Sequence, residues 1–240
     1  MKLRSAALTD IGKVRLQNQD QYLCQPALGL FGVADGVGGL PGGAEAAECA
    51  VRTLIHRFKA DGEAKPDLTA AMLAANQAVE RLGELVSPGM GIGTTVVFGL
   101  FRAGHLSLAH VGDSRAYVLH DGSITQLTQD HTVENETKRK GTPDDYLLLH
   151  PSSRHTLTRC VGQPVPLEVD TVERPLTSGE CYLFLTDGIT RLVSDEELVG
   201  LAGQKLPPAD FLRKMIDLAL DRGGNDNATA VAVFVDDATP

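Results

Sequence analysis

The chain has 240 residues, 42% of them hydrophobic and 22% charged, enough apolar material for one large globular core or at most two small ones. That composition excludes disorder, collagen and a coiled coil as the main state. The 22 Lys and Arg against 31 Asp and Glu leave a net charge of −9, the wrong sign for binding a phosphate backbone or an anionic membrane, so neither nucleic acid nor membrane is expected as a partner. The excess carboxylate is either solvated surface or gathered to hold cations.

The opening segment, MKLRSAALTDIGKVRLQNQD, has no apolar run long enough for a signal peptide, and no stretch approaches the roughly 18 apolar residues of a membrane span. A soluble cytoplasmic protein is the expectation. A candidate strand over 21–24 follows, then the apolar run GLFGVA at 29–34. The Ala-rich stretch 44–58 predicts a helix. A second is predicted over 68–86, where Leu68, Met72, Ala75, Val79, Leu82 and Val86 recur at helical spacing.

Strand-length runs at 94–101, 105–111 and 115–119, with turn signals at Ala103-Gly104, Gly112-Asp113 and Asp121-Gly122, predict a meander. From Asp130 to Arg154 the pattern fails among charges, Gly141 and Pro143, which predicts a loop or flap. A strand over 183–186, a helix capped by Ser194 with Glu197 as a capping box, a helix over 208–220 and a strand over 228–235 complete the chain. This order is not the alternation of a doubly wound sheet and predicts α+β, antiparallel sheets with helices outside. Neither repeat nor linker divides it, so residues 1–240 are expected to form a single domain. Cys24, Cys49, Cys160 and Cys181 are far apart and form no CxxC, which suggests neither a zinc site nor a redox pair.

The aspartates carry the chemical signal. Asp35 ends FGVAD and Asp187 ends YLFLTD, each followed by glycine; Asp113 lies in VGDS just after a strand, and Asp226 directly precedes one. Any one of these is commonly a turn residue bonding local backbone. Together they can converge on one sheet edge, where carboxylates and backbone carbonyls suit Mg or Mn. A glycine after the carboxylate lets the backbone bend so that a carbonyl also faces the ion. In RLQNQD, Arg15 stands five residues before Asp20: either a surface arginine near a turn, or a donor fork suited to phosphate.

RLQNQD, FGVADGVGG, GTTVV, HVGDSRAYV, LTQDH, LTRCVG, LTDGITRLVSDEEL and GGNDNATAVAV occur in the order and spacing of the metal-dependent Ser/Thr protein phosphatases of type 2C, the PPM family, in their compact bacterial form. The chain resembles that family over about residues 5 to 235. The resemblance implies a four-layer α-β-β-α sandwich with two central antiparallel sheets and a flap at 130–154 beside the active site. It implies two Mn or Mg ions, with a third in bacterial members. Asp35 then bridges both metals and Gly36 supplies a carbonyl; Asp187 and Asp226 ligate the first metal, Asp20 contacts the second, and Asp113 with Asp187 holds the third. Arg15 becomes the phosphate clamp. The implied reaction is hydrolysis of phosphoserine or phosphothreonine on proteins by a hydroxide bridging the metals. The implied partner is a phosphorylated protein, opposing a Ser/Thr kinase, with the phosphatase a monomer.

Two departures stand out. Gln19 replaces the Glu that many eukaryotic members carry before the first Asp, and Val37 stands where they carry a histidine proposed as general acid, so the leaving-group proton is expected from metal-bound water. His131 reads as structural, at the base of the flap, and neither it nor His110 inherits the acid role. Among competing readings, GVGGLPGG lacks the spacing of a dinucleotide fingerprint, and Ser114 in GDS has no base placed to activate it. A binding or regulatory module on the same fold is the non-enzyme alternative; the intact set Asp20, Asp35, Asp187 and Asp226 favours an enzyme.

Overall fold

The computed structural model describes residues 1–38, 41–61, 67–150, 153–164 and 166–239. Gly39 and Leu40 of the glycine-rich run, and Pro151 and Ser152 of the flap, lie outside the described residues. Among those described, one antiparallel sheet orders β1 (Lys2–Asp10), β10 (Ala228–Asp237), β9 (Cys181–Leu185), β6 (Arg115–His120) and β7 (Ser123–Gln126). The other orders β2 (Asp20–Gln25), β3 (Leu30–Asp35), β4 (Val96–Arg102), β5 (His105–Val111) and β8 (Asp170–Pro175).

Helices α1 (Gly43–Asp61) and α2 (Leu68–Val86) cover the second sheet, where Leu54, Phe58, Met72 and Val79 pack with Leu30 and Phe98. On the first sheet, α6 (Asp195–Ala202) and α7 (Pro208–Asp221) bring Leu198, Phe211, Leu212 and Met215 against Leu183 and Ala230. Between the sheets lie Phe31, Phe101, Tyr182, Phe184 and Val231. The result is the expected four-layer α-β-β-α sandwich. Strands such as β3 and β9 are buried on both faces, which explains why they read as continuous apolar runs rather than alternating ones.

The periodicity of α2 matches its observed bounds, and Asp67 caps it by accepting from Ala70 N at 2.9 Å. The capping box at Ser194 forms: its hydroxyl accepts from Glu197 N at 3.4 Å and the Glu197 carboxylate accepts from Ser194 N at 3.0 Å. Ala103-Gly104 and Asp121-Gly122 have positive φ throughout and close the β4–β5 and β6–β7 hairpins. The central strands do not form one meander, however. At Gly112, φ 114°, the chain leaves the second sheet and enters the first, so the Gly112-Asp113 turn is a crossover between layers. An apolar strand carries no local mark of which sheet it joins.

The edge strands β1, β7 and β8 were not legible, being short of apolar residues or only half-buried. The flap contains two helices, α3 (Val133–Lys140) and α4 (Pro143–Leu148). Their start signals are the Thr132 and Thr142 caps, and α3 is laced by Lys138–Glu134 at 3.1 Å and Lys140–Glu136 at 2.9 Å. Helices held by caps and surface ion pairs show no apolar stripe, which is why the segment reads as irregular.

Phe101 meets Phe31, Tyr182 and Phe184 edge-on at centroid distances of 5.6, 5.2 and 6.4 Å, tying the two sheets together. Truncation by Phe101→Ala is expected to cost about 3–5 kcal/mol of stability, read from the denaturant midpoint at constant m-value.

Candidate functional site

Antiparallel register sets Asp20 directly opposite Asp35 on β2 and β3. Asp187 opens the short helix α5 (Asp187–Thr190) just after β9, and Asp226 lies just before β10, the neighbour of β9. Asp113 joins them from the crossover. These sheet ends meet at a cleft of about 450 Å³ lined by Arg15, Asp35, Gly36, Asp113, Asp187 and Asp226. Asp20, 3% exposed and opposite Asp35, is not among the lining residues. A larger hollow of about 740 Å³ along α1 has only the exposed acids Glu45 and Glu48, so volume alone does not mark the site.

Hydroxyls and amides hold the acids in place. Asp35 N donates to Thr95 Oγ1 at 3.1 Å, while its carbonyl accepts from Thr95 N at 2.8 Å and Thr94 Oγ1 at 2.9 Å. Thr95 Oγ1 lies 2.7 Å from Ser114 Oγ, which ties β4 to the Asp113 turn. Thr186 donates to Asp20 Oδ2 at 2.9 Å and accepts from Thr229 N at 3.0 Å, linking the two sheets. Buried Asn227 fastens the N-terminal segment: its Nδ2 donates to Ile11 O at 2.8 Å and Gln17 O at 3.1 Å, and its Oδ1 accepts from Gln19 N at 2.8 Å.

Two glycines are required by close approach. A Cβ on Gly188 would stand 2.0 Å from Asn227 O, and one on Gly36 would stand 2.4 Å from Gly43 O. The bend expected after Asp35 is therefore not the reason for Gly36, which does not have positive φ; the reason is lack of room.

The electrostatics are strained. Burial, then the charges of Asp20, Asp187, Asp113 and Asp226, pushes the Asp35 carboxyl well above the usual range. Burial likewise raises Asp20 to about 7 and Asp113 to about 7, with the charge of Asp187 adding to both. Asp187 is raised by burial against the relief of Arg191. Asp20 Oδ1 and Asp187 Oδ1 are buried acceptors with no donor, and an oxygen left so is costly unless a cation or proton meets it. This donor set, all carboxylate with a carbonyl at Gly36, fits hard divalent ions. As the side chains stand, no group of three or more His, Cys, Asp or Glu among the described residues is gathered closely enough to hold a metal ion.

Arg15 reaches the cleft, with Nη2 2.7 Å from Asp226 Oδ2. Val37 lines the cleft and offers no proton. His131 sits buried at the flap base, its Nδ1 accepting from Gly112 N at 3.0 Å and its Nε2 3.3 Å from Asp170 Oδ2. Beside it, Asp130 pairs bidentately with Arg115. His110 stacks on His131 at 4.5 Å and borders a different cavity; burial lowers its pKa to about 3. His155, Thr156 and Leu157, at the C-terminal end of the flap region, line the cleft instead. Reasoning from sequence also missed Asn227, the threonine framework and Arg191, whose Nη2 lies 2.6 Å from Asp187 Oδ2 and 3.5 Å from Asp113 Oδ2. The last carried a signal, an Asp and an Arg four apart in DGITR.

The family model described as protein phosphatase 2C matches residues 13–223. The chain belongs to the protein phosphatase 2C family. The matched span contains Arg15, Asp20, Asp35, Asp113 and Asp187; Asp226 lies beyond it and is brought in by β10. The serine/threonine protein phosphatase PstP of Mycobacterium tuberculosis is 35% identical over 240 residues, covering 98% of this chain. This chain spans 45% of that relative's length, about half. Protein phosphatase PhpP of Streptococcus pneumoniae is 29% identical over 96% of both chains. A crystal structure of M. tuberculosis PstP superposes with a TM-score of 0.85 over 98% of this chain and 99% of that one, at 35% identity. The PstP catalytic domain in complex with two manganese ions gives a TM-score of 0.83 at 34% identity, over 98% and 99%.

Native Asp20 keeps its proton up to about pH 7, whereas the unfolded carboxyl releases it near 3.8. The metal-free native state thus binds the extra proton between these values, and Asp20 makes stability fall as pH rises through that window. Asp20→Asn removes the dependence. Denaturant titrations of both metal-free proteins should show the variant gaining on wild type from about pH 4.5 to about pH 8; a constant difference would contradict the shift.

Proposed function

We propose that this chain is a metal-dependent protein serine/threonine phosphatase, acting on phosphoserine and phosphothreonine of proteins. The observation that carries the reading is the convergence of buried carboxylates with donorless oxygens beside the arginine of an open cleft. The names of the relatives support the activity, and the manganese in the PstP catalytic domain supports the cofactor. Asp20, Asp35, Asp187 and Asp226, with the Gly36 carbonyl, would hold two Mn or Mg ions. Such ions, when bound, supply Lewis acidity and a nucleophilic water at neutral pH.

The chain's own groups do the rest. Arg15 spends one Nη on Asp226 and keeps its other donors for phosphoryl oxygens. Gly38 leaves that guanidinium uncovered, since an added Cβ would stand 3.4 Å from Nη1. Val37 provides no acid and neither His110 nor His131 lines the cleft, which leaves water and the cleft-lining His155 as the sources of the proton for the leaving serine or threonine oxygen. The flap over 130–154, anchored by Asp130 and His131, leads into the segment bordering the entrance and is suited to choosing substrates. We read the whole as one catalytic domain that is monomeric, cytoplasmic and opposed to a Ser/Thr kinase. Among the described residues no helix is long and apolar enough to cross a membrane.

Hydrolysis of a phosphothreonine peptide with Mn tests the reading; folded protein inactive with both Mn and Mg would leave a phosphoprotein-binding module instead. Chelator should abolish turnover reversibly, and Asp35→Asn should lower kcat by about 10³-fold or more. Removing the charged donor with Arg15→Ala should raise KM for the phosphopeptide about 10- to 100-fold. An unchanged KM would remove Arg15 from phosphate binding.

A further inference from the structure

The carboxylates of Asp113 and Asp187 form a like-charge pair at one side of the cleft, and the structure already contains a cation between them. Arg191 lies four residues after Asp187, and its backbone N–H donates to Asp187 O at 3.0 Å, which fixes the side chain over the same helical face. Its Nη2 stands 2.6 Å from Asp187 Oδ2 and 3.5 Å from Asp113 Oδ2. Asp113 has no other ion pair among the described residues, and its neighbour Ser114 spends its hydroxyl on Thr95.

We propose that Arg191 is the resident cation of the Asp113–Asp187 pair, a tethered guanidinium in the place of a third divalent ion, so that this chain binds two metal ions rather than three. The inference rests on the metal-dependent reading above. A divalent ion using the same two carboxylates would stand within a few Å of a full positive charge, and that repulsion disfavours it. The tether makes the arginine effectively always present, whereas a weak metal site fills only at high metal concentration. Arg15 differs, because among the described residues it pairs with one acid, Asp226, and so bridges no two carboxylates, and its guanidinium faces Gly38 in the open cleft. Arg191 is thus a positioning residue: it offsets the like charges of Asp113 and Asp187 and fixes the orientation of Asp187 without needing to touch substrate.

The test counts Mn²⁺ bound per chain, by equilibrium dialysis with electron paramagnetic resonance of the free ion up to millimolar Mn²⁺. Wild type should bind about two ions. Arg191→Ala should gain a further weak site, to roughly three, and Asp113→Asn in that background should remove it again. Arg191→Lys, which keeps the charge, should stay at about two. Circular dichroism of each variant establishes that it is folded. Wild type binding three ions, with the third lost in Asp113→Asn alone, would overturn the arginine's role while leaving the phosphatase reading intact. Arg191→Ala still binding two would overturn it as well. Wild type binding none would remove the metal-dependent reading, and this inference with it.

Discussion

Five aspartates brought to one end of two sheets, some of them shielded from water, are the constraint that the rest of this structure answers. Two like charges at about 4 Å in the effective dielectric of a protein repel by about 4 kcal/mol, so such a cluster does not assemble spontaneously. It is held by the backbone. Asp20 and Asp35 are opposed by strand register, Asp187 and Asp226 stand at the ends of neighbouring strands, and Asp113 is delivered by a crossover. The folding energy that enforces these placements comes from the three apolar layers, above all the aromatic contacts of Phe101 between the sheets. The cluster and the core are two sides of one arrangement: stability made in the layers is stored as electrostatic strain at their ends.

Uncharged groups do the fine positioning. Thr95, Thr186 and, through Thr9, Thr229 each connect two elements through one hydroxyl, and Asn227 joins β10 to the segment that carries Arg15 and Asp20. Neutral partners order the carboxylates without adding charge to the cluster. Among the described residues arginine is admitted at only two places on the cleft, Arg15 and Arg191, each beside an acid. The chain's overall deficit of −9 therefore has a local meaning: excess acid, unfavourable for a phosphate by itself, becomes favourable where cations intervene.

Much of this was legible before any coordinates. The apolar period of α2, the capping box at Ser194, the tight turns at Asp121-Gly122 and the carboxylates at strand ends are all marked by residues near in sequence, and such marks survive without tertiary context. The edge strands β1, β7 and β8 and the flap helices were hidden because their stabilisation is by pairing to a neighbour, by caps or by surface ion pairs, none of which leaves an apolar rhythm.

The sequence by itself determined the positions of the helices that pack on the two sheets, the buried central strands and which aspartates stand at strand ends, since burial on one or both faces of an element is written into its own residues. It also determined that glycine must follow Asp35 and Asp187, though not that the reason is the approach of Gly43 and Asn227. Only the tertiary structure decided which strands share a sheet, where the chain crosses between layers, that His110 and His131 border other surroundings than the cleft, and that Arg191 lies between Asp113 and Asp187. Those are distances between residues far apart in the chain, and they exist only once the layers have closed on their common core.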